Sequence, residues 1–296
     1  MIINIESLFK SYDHKKNVIE DLNLKIEKGY IYGLLGPNGA GKSTLINIIV
    51  GFLNYDKGVV KVFGEDSLKI KKISSKIGYV PQSIALFDDL TVYENIELFA
   101  SMYNLKPSQI KNKVTELMKM VSLEEQAKKL AKNLSGGMKR RLNIACSLVN
   151  DPELLILDEP TVGVDPQSRN HILESLIKLN QKGLTIIYTS HYMEEVERIC
   201  DYIYIMDMGK IISEGSKSEL LNSDLLHFVV DLKKDCQIPL KYQENYHDNK
   251  LFLQSKDIRT LITQLENDKI DYLDIEKEKM NLEKLFLRLT GKKLRD

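Results

Sequence analysis

The spacing of apolar residues changes character several times along the chain. In residues 1–35 it reads as strands: Leu22, Leu24 and Ile26 alternate with polar neighbours, Lys28-Gly29 turns, and Ile31-Tyr-Gly-Leu-Leu35 is a short apolar run. A glycine-rich turn at 36–41 follows, then an apolar stretch of helical length from Thr44, so the order is strand, glycine loop, helix. From about 83 to 152 the period becomes helical. Thr91 and Glu94 have the spacing of a capping box ahead of Ile96 and Phe99, and Val114, Leu117, Met118 and Val121 form one helix stripe. No strand pattern interrupts this region, which predicts an all-helical insertion. Apolar runs return at Leu154-Leu-Ile-Leu157, Leu184-Thr-Ile-Ile-Tyr188 and Tyr202-Ile-Tyr-Ile-Met206, with a helical stretch from Ser168 to Asn180 between the first two. That alternation predicts an α/β unit whose parallel sheet is covered on both faces. Past residue 220 the pattern shifts again: His227 to Leu232 and Leu251 to Leu253 read as strands. Ile258, Leu261, Ile262 and Leu265 make one helix stripe, and Leu282, Leu285, Phe286 and Leu289 make another. The expected domains are 1–220 and a small α+β body over 221–296.

Composition narrows the function classes. At ~150 residues per domain, 296 residues suit two domains. Forty-two basic against forty-two acidic side chains leave a formal net charge of zero, so no nucleic-acid partner is expected, because backbone recognition needs a basic excess. The three cysteines, Cys146, Cys200 and Cys236, share no short spacing; this rules out a disulfide framework or a cysteine zinc site and suits a reducing cytosol. No apolar run approaches the ~20 residues of a spanning helix, and MIINIESLFK lacks the apolar core of a signal peptide. Work at a membrane would require another chain to cross it.

Three motifs carry chemistry. Gly36-Pro37-Asn38-Gly39-Ala40-Gly41-Lys42-Ser43-Thr44 fits the phosphate-binding loop pattern. Its glycines let backbone amides curl around phosphates, Lys42 can reach the β and γ oxygens, and the Ser43 hydroxyl can ligate Mg²⁺. Leu154-Leu-Ile-Leu-Asp158-Glu159 is an apolar strand ending in two carboxylates. In the same sheet, Asp158 falls near the Mg²⁺ and Glu159 beyond it, where an attacking water sits. Leu134-Ser135-Gly136-Gly137-Met138 reads both as a Ser-capped helix start, with Leu142, Ala145 and Leu148 inward, and as a second anion site. A phosphate loop has no room for that second site in cis. It makes sense if the γ-phosphate of a neighbouring subunit's ATP docks there.

Gly36–Thr44, Gln82, Leu134–Gly137, Leu154–Glu159 and His191, in this order and spacing, resemble the nucleotide-binding subunit of an ATP-binding-cassette (ABC) transporter over residues 1 to about 220. The resemblance implies a P-loop NTPase (RecA-like) core with an N-terminal antiparallel β subdomain and a helical insertion. It also implies roles: Tyr12 stacks on adenine, Gln82 touches Mg²⁺ where the core meets the insertion, Asp165 in Gly163-Val-Asp-Pro166 lies in a loop crossing between subunits, and His191 senses the γ-phosphate. Its implied catalytic set is Glu159, His191, Lys42 and Gln82, with ATP and Mg²⁺ as cofactors. The other histidines, 14, 171, 227 and 247, match nothing and read as surface or packing residues.

Met138 stands where many members of the family have Gln. With Gly163-Val-Asp-Pro166 and the ending Asn281-Leu-Glu-Lys-Leu-Phe-Leu-Arg-Leu-Thr-Gly291, it resembles the ABC-2 and drug-exporter subgroup. The implied protein is an ATPase that powers an exporter, as a homo- or heterodimer on the cytoplasmic side of the membrane, with a separate membrane-spanning permease docking near Ser83 to Phe99. Ile84, Leu86, Phe87 and Leu90 are candidates for that contact; the insertion's own core claims them equally. The competing class is a soluble ABC-type ATPase of translation, DNA repair or iron–sulfur assembly. A single cassette without a long coiled coil between Gln82 and Ser135 excludes the first two, and the exporter-like C-terminal body argues against the third.

Overall fold

The computed structural model describes residues 1–290 except 13–15, 104, 222–225, 234, 235, 237, 279 and 280. The chain divides into two compact units, Met1–Lys217 with the chain's end from Leu289, and Ser218–Arg288. His14 and Gly291 lie outside the described residues.

The first unit opens with β1 (Ile3–Ser11), β2 (Asn17–Ile26), β3 (Ile31–Leu35), α1 (Lys42–Ile49), β4 (Lys57–Val62), β5 (Glu65–Asp66), α2 (Ile70–Ile73) and β6 (Ile77–Val80). The helical insertion follows as α3 (Val92–Ser101), α4 (Pro107–Met120) and α5 (Gly136–Ser147), and the chain returns through β7 (Leu154–Leu157), α6 (Pro166–Gln181), β8 (Thr185–Thr189), α7 (Met193–Ile199), β9 (Tyr202–Asp207) and β10 (Lys210–Ser216). Two sheets result. An antiparallel sheet runs β2-β1-β4-β5, and a six-stranded sheet runs β10-β9-β3-β8-β7-β6. In the second, β9, β3, β8, β7 and β6 are parallel neighbours and β10 pairs antiparallel at the edge. The central strands β3, β7 and β8 are buried along their whole length, which is why they read as unbroken apolar runs. Leu45, Ile46, Ile48 and Ile49 of α1 share one core with Ile3, Ile5, Val60 and Val62 of the antiparallel sheet and with Leu154 and Ile156 of β7.

The insertion forms as its periodicity predicts. Thr91 and Glu94 make the reciprocal capping box of α3, with the Glu94 amide donating to Thr91 Oγ1 at 3.2 Å and the Thr91 amide to Glu94 Oε2 at 2.8 Å. Val114, Leu117, Met118 and Val121 are buried.

After α8 (Lys217–Leu221), the second unit contains β11 (Leu226–Leu232), β12 (Tyr246–His247), β13 (Lys250–Ser255), α9 (Ile258–Asn267), β14 (Tyr272–Glu278) and the start of α10 (Leu282–Thr290). Its sheet runs β12-β13-β11-β14, antiparallel throughout. Phe228, Val230 and Leu232 pack with Leu251, Leu253, Leu261 and Leu265. The helix stripes are narrower than their spacing predicts: Leu261, Leu265, Leu282 and Phe286 are buried, whereas Ile258 and Leu289, near the helix ends, are exposed. His227 is buried, with Nδ1 2.6 Å from Arg288 Nη1, and His171 is exposed. The edge strand β14 carries Asp274, Glu276, Lys277 and Glu278, so the alternation rule misses it; charge at an edge discourages further pairing.

Candidate active site

Topology gathers the motifs. Gly36 follows β3, Gln82 follows β6 by two residues, Asp158 follows β7 and His191 follows β8 by two. All four strands are parallel neighbours, so their C-terminal ends share one edge of the sheet, the usual place for a ligand crevice.

At that edge α1 begins on Gly41, whose φ of 102° lies in the left-handed region and which offers no side-chain cap. A Cβ there would sit 2.8 Å from Met206 Cε and 2.9 Å from the Val18 carbonyl, so glycine is required twice over. The first-turn amides are left without a side-chain acceptor, the condition for anion binding at a helix start. Lys42 is buried, and its Nζ donates to the carbonyls of Gly36 (2.6 Å) and Pro37 (3.1 Å). Burial lowers its pKa, against the opposing pull of Glu159 and Asp158. The Gly209 amide, in the β9–β10 turn, donates to the Ala40 carbonyl at 3.0 Å and holds the loop from outside. Asn38 and Gly39 lie on the same loop, Gly39 with φ 80°. Tyr12 is 61% exposed, with its hydroxyl 3.1 Å from Thr44 Oγ1 and Lys10 Nζ 5.9 Å from its ring centroid, and so presents an exposed ring beside α1.

The carboxylates are held on every side. Ser43 Oγ donates to Asp158 Oδ2 at 3.3 Å and Thr189 Oγ1 to Asp158 Oδ1 at 2.9 Å, while the Glu159 amide donates to Thr189 Oγ1 at 2.8 Å. Gln82 Nε2 donates to Glu159 Oε2 at 2.8 Å, and His191 Nε2 lies 2.5 Å from Glu159 Oε1. Both oxygens of Glu159 are thus engaged by the two loops that flank it. The residue is buried and has φ 50°, a left-handed conformation that typically costs ~1–3 kcal/mol for a non-glycine residue and that clusters at active sites. Burial and Asp158 push the Tyr79 hydroxyl to about 12, which keeps it protonated beside this charge.

Two contributors escaped the sequence reading. Thr189 joins the backbone of Glu159 to the side chain of Asp158; its signal was a polar residue ending an apolar strand. Buried Arg140, on α5, donates to the carbonyls of Pro81 (2.8 Å) and Gln82 (2.6 Å) and so fixes the Gln82 loop from the insertion. Nothing in its sequence neighbourhood, Lys139-Arg140-Arg141, distinguished it from surface charge.

The third motif lies on a different surface. Ser135 and Gly136 are exposed, and Ser135 Oγ accepts from the Met138 amide at 3.3 Å as the cap of α5. Gly137 is forced by its neighbours, since a Cβ would fall 2.4 Å from Ser168 Oγ and 3.0 Å from Asp165 Oδ2. Exposed Asp165 caps α6, accepting from the Ser168 amide at 2.9 Å, and that contact holds its carboxyl below the usual range. Ser135–Gly137 and Asp165 therefore form one face. Among the described residues, no hydrogen bond or ion pair joins Ser135–Gly137 to Gly36–Thr44.

The profile of the ABC transporter family matches residues 19–162. The linearmycin resistance ATP-binding protein of Bacillus subtilis is 41% identical over the whole of both chains. The family is settled by that relative. This chain belongs to the ATP-binding subunits of ABC transporters. Nod factor export ATP-binding protein I of Ralstonia nicotianae is 36% identical over 100% of this chain and 95% of its own. Among solved structures, cbiO1 of Clostridium perfringens, part of the transporter complex cbiONQ, superposes with a TM-score of 0.69 at 31% identity, covering 74% of this chain and 90% of its own. A dimeric ATP-binding cassette in a post-hydrolysis state with ADP and phosphate gives 0.67 at 28% identity, covering 73% and 98%. This ABC ATPase has the P-loop cassette fold and hydrolyses ATP.

Proposed function

We propose that this ABC ATPase powers an exporter by closing, with a second ATPase subunit, on two ATP molecules. The observation that carries the reading is Glu159, held in a left-handed backbone between Gln82 and His191, beside the Ser43–Asp158 pair. Lys42 exchanges the loop carbonyls of Gly36 and Pro37 for β- and γ-phosphate oxygens, the α1 amides take the phosphate chain, and Tyr12 stacks on adenine. Glu159 orients the attacking water and accepts its proton, with His191 against the γ-phosphate and Gln82 fixing the opposite side. Ser43, Asp158 and Gln82 offer hard oxygen donors that would hold Mg²⁺, and the ion would supply positive charge against the phosphates there. Ser135, Gly136, Gly137 and Asp165 face the partner's nucleotide.

Among the described residues no helix is long and apolar enough to cross a membrane. A separate membrane-spanning permease therefore supplies the path, and the ATPase sits on it from the cytoplasmic side. Ile84 and Phe87 are exposed next to a cavity of about 230 Å³ lined by Phe52, Tyr79, Phe99 and Tyr103, which supports docking there. Leu86 and Leu90 are partly covered and share the task less. The similarity to linearmycin resistance and Nod factor export ATP-binding proteins supports export as the direction of transport.

Glu159→Gln tests the reading. Turnover should fall ~10²–10⁴-fold with ATP affinity retained, and Mg²⁺ with ATP, but not ADP, should shift the variant from monomer to dimer on a sizing column. Near-wild-type hydrolysis would overturn the role of the base. Cells carrying the variant should lose export of the cargo, and the chain should co-purify with a membrane-spanning partner.

A further inference from the structure

A buried carboxylate with no part in the chemistry above sits behind the active-site loops. Glu195, on α7, is 4% exposed. Three hydroxyls converge on its Oε2: Thr161 Oγ1 at 2.8 Å, Tyr188 OH at 2.6 Å and Ser190 Oγ at 2.7 Å. Its other oxygen, Oε1, lies 3.3 Å from Nε of Arg169, an ion pair without hydrogen-bond alignment. The Arg169 guanidinium covers the Tyr192 ring at 4.1 Å from its centroid. Burying a carboxylate is expensive unless it is paired and hydrogen-bonded, so three donors and a guanidinium on one side chain indicate a role specific to the charge.

The partners are informative by position. Thr161 is two residues beyond Glu159; Ser190 immediately precedes His191, and the Ser190 hydroxyl also accepts from the Tyr192 amide at 2.9 Å. Arg169 is in the first turn of α6, where its amide donates to the carbonyl of the cap residue Asp165 at 2.9 Å. Glu195 thus touches the segments that carry the base, the γ-phosphate histidine and the inter-subunit loop, and none of the reacting atoms.

We propose that Glu195 is a positioning residue for hydrolysis, clamping the Glu159 segment to the His191 segment and, through Arg169, to the helix that Asp165 starts. The inference rests on the roles assigned to Glu159 and His191. The 2.5 Å approach of His191 to Glu159 is the geometry the clamp maintains. Gln at 195 has the same shape but cannot serve both sides. If its carbonyl takes the three hydroxyls, its amide meets the Arg169 N–H groups; if it turns round, the hydroxyls lose their shared charged acceptor.

The test uses the full-length chain, with kcat, KM and nucleotide binding measured separately. Glu195→Gln should lower kcat roughly 10–100-fold, the scale of a slightly misplaced reacting group, and leave ATP affinity within about twofold. Combined with His191→Ala its loss should be well short of multiplicative, because one of the groups the clamp positions is then already gone. Thr161→Val, which removes one hydroxyl and keeps the shape, should give a smaller kcat loss that is also absorbed in the Glu195→Gln background; it carries the test if Glu195→Gln does not fold. Multiplying losses in the double variants, an unchanged kcat, or a parallel fall in ATP binding and melting temperature would each overturn the proposal. Lys42→Ala serves as the control. If it leaves hydrolysis intact, the nucleotide-site reading fails; if it abolishes hydrolysis while Glu195→Gln is silent, only the clamp fails.

Discussion

Two helices in this ABC ATPase start on glycine-rich segments, and they are built differently. α1 starts on left-handed Gly41 with no side-chain cap, a buried lysine folded over its own loop, and two carboxylates nearby. α5 starts on Ser135, which caps it, and its surroundings are those of an ordinary helix end. Lys139 in its first turn is paired with Asp88 at 3.0 Å, and the nearest charge to Gly137 is the Asp165 carboxylate. The first site has a cation and free amides, and can hold a phosphate alone. The second starts on exposed Ser135 and Gly136, with Lys139 already paired, the Arg141 guanidinium turned to the carbonyls of Val121 and Ser122, and a carboxylate beside Gly137 that repels free phosphate. On the function proposed above, the anion that reaches the second site is carried by another subunit, with its own lysine and metal. Asymmetry between the two ends is what the proposed composite site requires: in it each chain would bring one complete half and one dependent half.

The largest effect expected from this contrast is at the complete half. Lys42→Ala removes the only lysine of the loop, a charge-assisted contact to two phosphates that no neighbour replaces. Hydrolysis should be lost and ATP binding, followed with a fluorescent nucleotide, should weaken strongly. The melting temperature should not fall, since a buried ammonium that burial disfavours is removed. Unchanged turnover would show that α1 is not where phosphate binds.

Much of this contrast is legible in the sequence, for identifiable reasons. The phosphate loop, the strand with its two carboxylates and the Ser-Gly-Gly helix start are local, so spacing along the chain reports them. That β3, β7, β8 and β9 share a parallel sheet is not local, yet unbroken apolar runs separated by helices imply it; the strand order, and the place of β6 in it, do not follow from the pattern. What stayed hidden depends on distant partners. Arg140 reads as one of three basic residues in a row until α5 is packed beside the Gln82 loop. Glu195 reads as one of several acids on a short helix until Thr161, Tyr188 and Ser190 surround it. The antiparallel β4, β5 and β14 are half-exposed and charged, so burial leaves little periodicity to read.

The dependent half gives a smaller, conditional loss. Ser135→Arg places a bulky cation on the exposed docking face, where it obstructs a partner's nucleotide without touching the chain's own loop. Turnover should fall roughly 10²-fold, as expected for spoiled positioning, with ATP binding retained. Mixing this variant with Lys42→Ala sharpens the comparison. In the mixed dimer one interface pairs the intact loop of the Ser135→Arg chain with the intact Ser135–Gly137 of the other. Activity should therefore reappear in the mixture although neither variant has it alone. If the mixture stays silent, the two halves do not meet across subunits.

The smallest effect separates the two jobs of Ser135. As a cap, its Oγ satisfies one amide of α5 through an exposed 3.3 Å contact, so Ser135→Ala should cost about 0.5–1 kcal/mol. That is a melting shift of about 2–4 °C at most for a unit of this size. Ser135→Asp should restore the melting temperature, because a carboxylate is as good a cap and favours the positive end of the helix. Its effect on turnover should be the opposite. A second negative charge beside Asp165 repels the partner's γ-phosphate, so Ser135→Asp should hydrolyse ATP more slowly than Ser135→Ala even though it is the more stable protein. Rising salt should narrow that gap, since exposed charges are screened within ~10 Å at 0.1 M. If stability and turnover instead rise and fall together across the two substitutions, Ser135 is a helix cap alone, and the dependent half must be sought in the backbone of Gly136 and Gly137.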